Sequence, residues 1–87
     1  MPYTVKEVQP TPNPNAVKFV LDVPVTEDRL SFVDAASAAG HPLAGRLFQI
    51  NGVVSLLLLG DFVTVVKSPN VKWSAITGKV KKVLAAN

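Results

Sequence analysis

Apolar and polar positions alternate with a period of two over most of the chain, and switch to helical spacing in two places. Residues 3–9 mix β-branched and charged types in rough alternation and predict an edge-like strand. Residues 16–22 resume a strand, with Val17, Phe19 and Leu21 on one face and Ala16, Lys18 and Val20 on the other. Between them, Pro10, Pro12 and Pro14 remove ladder donors and fix φ, which makes a stiff loop across which the two strands pair antiparallel. Val53–Leu59 and Phe62–Lys67 form the clearest hairpin, with Gly60-Asp61 suited to a two-residue turn that needs positive φ at its first position.

The helical periods fall elsewhere. Asp22–Arg29 reads as strand end and loop. Ser31-Phe32-Val33-Asp34 then resembles a capping box leading an alanine-rich helical piece to Gly40, with an irregular segment over 31–39 as the alternative. His41-Pro42 opens a second helix, since a proline at the first helical position loses no needed donor. Leu43, Leu47 and Ile50 recur on one side of it, leaving Arg46 and Gln49 to water, and Asn51-Gly52 ends it. Asn70 is placed to cap a last helix whose Trp73, Ile76, Val80, Val83 and Leu84 share one side. The expected architecture is a single α+β domain over residues 1–87. It is a two-layer ββαββα fold, a four-stranded antiparallel sheet with helices on one face.

Composition narrows the function classes. The 87 residues are 48% hydrophobic and contain no cysteine and one histidine. Disulfides, zinc ribbons, thiolate-held clusters and cysteine nucleophiles are excluded together. Five dispersed glycines make no phosphate loop, and Glu27-Asp28 are sequence neighbours that do not converge on a substrate. His41 before a proline reads as a cap, so no catalytic residue, metal ligand or cofactor is expected. No run approaches a membrane span and no signal peptide is visible, which makes the cytoplasm the default address. The net charge of +3 rests on seven lysines and two arginines, and only Lys79, Lys81 and Lys82 lie close together. That cluster fits a solvated helix end better than a nucleic-acid site.

Two features ask for more. The Thr11-Pro12-Asn13-Pro14-Asn15 loop suits local Asx-turns, and beside Lys18 it also suits presentation of polar groups to a partner. In Leu56-Leu57-Leu58-Leu59 one leucine pair must face away from the helices and lie near solvent.

Three blocks, Thr11-Pro12-Asn13-Pro14-Asn15-Ala16-Val17-Lys18-Phe19, His41-Pro42-Leu43-Ala44-Gly45-Arg46-Leu47-Phe48-Gln49-Ile50-Asn51-Gly52-Val53 and Asp61-Phe62-Val63-Thr64-Val65-Val66-Lys67, carry a resemblance. In this order and spacing they resemble the N-terminal domain of the Nfu/NifU-type iron–sulfur cluster scaffold proteins, over nearly the whole chain including the Trp73 helix. The resemblance implies a role in iron–sulfur cluster assembly. In that family the cluster sits on a Cys-x-x-Cys motif of a separate C-terminal domain, and the domain resembled here is an accessory recognition module. It transfers no catalytic residue. His41 stands where the family commonly has serine, and Leu57-Leu58-Leu59 replaces a commonly aromatic, glycine-ending stretch.

The expectation is therefore a monomeric, non-enzymatic interaction module that holds no cluster. Its partner would be another protein, a Cys-x-x-Cys scaffold or an apo client. The candidate contact residues are Thr11, Asn13, Asn15, Lys18, Arg46 and Thr64, with Leu57 and Leu59 as the apolar pair. Nucleic-acid binding through the lysine helix and self-association through the leucine strand are the alternatives.

Overall fold

The computed structural model describes residues 3–86. Strands β1 (Val5–Pro10) and β2 (Ala16–Leu21) form the expected antiparallel hairpin, in register from Pro10 opposite Val17 to Val5 opposite Leu21 with one bulge. Strands β4 (Val53–Leu59) and β5 (Phe62–Lys67) form the second, joined by Gly60-Asp61. Gly60 has φ +57° and Asp61 does not share the positive sign, the pattern of a type II′ turn, whose twist matches that of the flanking strands. β2 pairs with β5, which brings the two hairpins into one sheet.

The sheet has five strands, not four. Leu30–Phe32 forms β3 and pairs antiparallel with β4, Leu30 opposite Leu58 and Phe32 opposite Leu56. The observed order is βββαββα, and the sheet runs β1-β2-β5-β4-β3. Ser31 is thus a strand residue and caps nothing. The reciprocal pair lies three residues on: the Ser37 N–H donates to Asp34 Oδ1 at 2.8 Å, and the Asp34 N–H to Ser37 Oγ at 3.3 Å. Residues 33–40 are tight turns rather than an α-helix. Their bonds run i to i+3, from Ala38 N–H to Ala35 O and from Ala39 N–H to Ala36 O. What wins over the helical reading is the ladder with β4 on one side and burial of Ala38 on the other.

Helix α1 (Pro42–Phe48) begins as expected, with Pro42 in its first turn and His41 Nδ1 accepting the Ala44 N–H at 3.2 Å. It buries Leu43, Ala44 and Leu47. Gly52, at φ +101°, turns the chain into β4 beneath the Val71 side chain. Helix α2 (Trp73–Ala86) starts three residues beyond Asn70, whose N–H is occupied by Ser68 Oγ. Ile76, Val80 and Leu84 point inward; Trp73 and Val83 are half-buried at the margin. Both helices cover the sheet face built from Phe19, Leu21, Leu56, Leu58, Val63 and Val65, all of which are buried in one cluster with them. Neither helix is long and apolar enough to cross a membrane.

Candidate functional site

The helices lie on one side of the sheet, so the other side determines what the domain shows to a partner. Residues directly opposite in an antiparallel ladder point to the same face. Pairing therefore sets out two rows across the open face. One runs Glu7, Val20, Phe62, Leu59; the next runs Gln9, Lys18, Thr64, Leu57, Ser31. An antiparallel sheet with one solvated face ordinarily alternates apolar-in with polar-out. Here the outward positions of the central strands include Val20, Phe62, Leu57 and Val66, all half-buried, and the exposed Leu59, interspersed with Lys18, Thr64 and Ser55. The Lys18 ammonium sits 4.1 Å from the centre of the Phe62 ring, held over the apolar surface by the ring's negative face. The face is thus largely apolar across its central strands, with Lys18 and Thr64 set among the apolar side chains.

Four expected contact residues, Lys18, Thr64, Leu57 and Leu59, meet there. Between the two leucine pairs the choice follows from register: Leu56 and Leu58 are buried under the helices, and Leu57 and Leu59 face out. Arg46 does not join them. It is an exposed residue of α1, on the far side of the sheet.

Thr11 and Asn13 hold the loop itself, and Asn15 ties it to β5. Thr11 Oγ donates to the Ala16 carbonyl at 2.8 Å and accepts the Asn13 N–H, while Asn13 Oδ1 accepts the Asn15 N–H. Asn15 Oδ1 takes a hydrogen bond from Lys67 Nζ at 3.0 Å, and Trp73 Nε1 donates to the Pro14 carbonyl at 3.0 Å. Lys67 is 7% exposed, its ammonium also 5.7 Å from the Trp73 ring centre. Sequence reasoning assigned Lys67 no role. The signal was present, since Lys67 is in phase with the inward Val63 and Val65.

The donor set does not fit an iron–sulfur cluster. The chain has no cysteine, and among the described residues no three His, Asp or Glu side chains gather where a metal would sit. Its single imidazole is occupied in capping α1.

Residues 5–87 match the family described as scaffold protein Nfu/NifU, N terminal. The human NFU1 iron-sulfur cluster scaffold homolog, mitochondrial, is 46% identical over 66 residues, covering 75% of this chain and 26% of its own length. The Arabidopsis thaliana NifU-like protein 4, mitochondrial, is 39% identical over 75 residues, covering 85% and 26%. The chain spans about a quarter of the length of these relatives. Among solved structures, a NifU-like protein of Saccharomyces cerevisiae superposes with TM-score 0.81 at 24% identity, over 95% of this chain and 77% of that one. The Staphylococcus aureus protein SAV1430 gives 0.78 at 21%, over 92% and 96%; these two likenesses establish the fold. The cytoplasmic address expected above is corrected by the curated relatives, whose names place those proteins in mitochondria. A compartment is addressed by targeting segments and not by the composition of a packed domain, so the default carried no information.

Proposed function

The chain belongs to the Nfu/NifU N-terminal family, and from that premise we propose that it is a protein-recognition module of iron–sulfur cluster assembly that neither catalyses a reaction nor holds the cluster. The observation that carries this reading is the open sheet face. A small domain ordinarily keeps an uncovered sheet polar, and this one places Val20, Phe62, Leu57 and Leu59 side by side around Lys18. An apolar surface with Lys18 and Thr64 set into it suits a partner whose apolar patch carries a carboxylate. The charge steers approach and register, and the leucines and Phe62 supply the buried area. The absence of thiols in the sequence supports assigning cluster ligation to the partner, a Cys-x-x-Cys scaffold domain.

Titration of the ¹⁵N-labelled domain with a purified Cys-x-x-Cys scaffold domain, apo and cluster-loaded, tests the reading. The expected result is amide shifts confined to residues 18–20, 57–59 and 62–64, abolished in Lys18→Glu/Leu59→Ser. Shifts centred elsewhere, or none at all, would overturn it.

A further inference from the structure

The open sheet face carries two polar side chains that the protein itself does not satisfy. Lys18 and Thr64 stand directly opposite each other across β2 and β5, and both are half-buried. Among the described residues the Lys18 ammonium has the Phe62 ring and no carboxylate, and the Thr64 hydroxyl has no hydrogen-bond partner. Beside them three ranks of side chains run along β5 and β4. Phe62 faces Leu59, Thr64 faces Leu57 and Val66 faces Ser55, so each rank has at least one apolar member. An all-apolar partner laid along this lane would take the ammonium and the hydroxyl out of water with nothing to bond them, the costliest arrangement for buried polar groups.

We propose that the segment seated on this face is an amphipathic helix of the partner, aligned with β4 and β5, whose carboxylate is received jointly by Lys18 and Thr64. This deepens the reading of the face as a docking surface and rests on it. Side chains of an opposed antiparallel pair have Cβ atoms about 4.5–5.5 Å apart, so one carboxylate above the pair accepts from both ammonium and hydroxyl. The ranks of the lane repeat every two strand residues, about 6.7 Å, and four residues of a helix advance about 6 Å. Apolar side chains at i, i+4 and i+8 therefore drop one into each rank. A lone strand repeats at the same interval, but it would press unpaired N–H and C=O groups against Leu57 and Leu59, whereas a helix bonds its own. A second copy of the domain does not fit, because it would set another Lys18 into the interface. Among the described residues the only acid on the ladder positions of this face is Glu7, which lies on the edge strand and already accepts from Gln9 Nε2.

The test uses the intact domain, ¹³C-labelled at its Leu and Val methyls, with the unlabelled Cys-x-x-Cys scaffold domain as probe. Filtered NOEs are expected to side chains four residues apart on one scaffold helix, taken in the order Leu59, Leu57, Val66, with an Asp or Glu beside them. Lys18→Met, which keeps the unbranched stem, should weaken binding about tenfold or more, and Thr64→Val less. Replacing the scaffold acid by its amide should weaken binding equally, and combining it with Lys18→Met should add little further loss. An unchanged ¹⁵N spectrum away from residues 16–20 and 62–66 verifies that each variant folds. NOEs to partner strands or to a second copy of the domain, an unaltered affinity of Lys18→Met, or additive losses overturn the helix and its carboxylate while the face remains a docking surface. Scaffold contacts that map off the face, or no binding at all, overturn both.

Discussion

Lys67 Nζ donates to Asn15 Oδ1 at 3.0 Å, joining the end of β5 to a loop 52 residues earlier. The same two residues meet again along the backbone, where the Lys67 N–H donates to the Asn15 carbonyl at 2.7 Å. The proline loop is therefore ordered from beneath by a buried ammonium and from the side by Trp73. The two partners are unequal, because removing Asn15 leaves a charge in place while removing Lys67 takes it away. Asn15→Ala is expected to cost about 1–3 kcal/mol and Lys67→Met distinctly less, in paired urea denaturation curves. Equal losses would mean that the ammonium is not held by the amide.

The leucine strand gives a sharper contrast between neighbours. Leu58 is fully buried and Leu59 is 37% exposed. Leu58→Ala should cost about 2–5 kcal/mol, the range for a buried leucine that leaves a cavity. Leu59→Ala should cost about 1 kcal/mol or less and act on partner binding instead. Chemical denaturation and the scaffold titration, run on both variants, separate the two faces of β4.

Two glycines make opposite demands. A Cβ at Gly52, where φ is +101°, would come within 2.9 Å of Val71 Cγ2. Gly52→Ala should therefore destabilise by about 1–2 kcal/mol. Gly78 sits inside α2 with nothing within 4 Å of its would-be Cβ. Gly78→Ala should stabilise by about 1 kcal/mol, read as a higher thermal midpoint.

Replacing His41 tests the cap of α1. His41→Ala loses the acceptor for the Ala44 N–H and should cost roughly 0.5–2 kcal/mol, whereas His41→Ser, with a hydroxyl that caps well, should recover that loss. A serine variant no more stable than the alanine one would assign His41 to its packing against Phe32, 5.5 Å away between ring centres.

What the sequence made legible were the elements stabilised by their own residues. The two hairpins are marked by alternation and by turn chemistry, and α1 by a proline in its first turn. β3 was illegible because three residues show no period. Leu30-Ser31-Phe32 becomes a strand only through its pairing with Leu56–Leu58, and Ser31 with Asp34 imitates a cap. The open face was half legible. Alternation required one leucine pair to be outward, but which pair depends on the register of β4 against β5. Arg46 was grouped with Lys18 although the sheet lies between them, since sequence spacing carries no information about which layer a helix occupies. The asparagines were legible in their local role and not in the contact with Lys67, which is a tertiary one.

β3 also decides how the domain behaves in a crowd. Without it, β4 would border the sheet and present Val53-Val54-Ser55-Leu56-Leu57-Leu58-Leu59 with unpaired amides, a template for strand addition by any other chain. Three residues opposite Leu56–Leu58 cover the leucine run of that border. The edge they leave in its place is too short to recruit a neighbour, so the shortest strand of the fold protects the chain's most aggregation-prone segment.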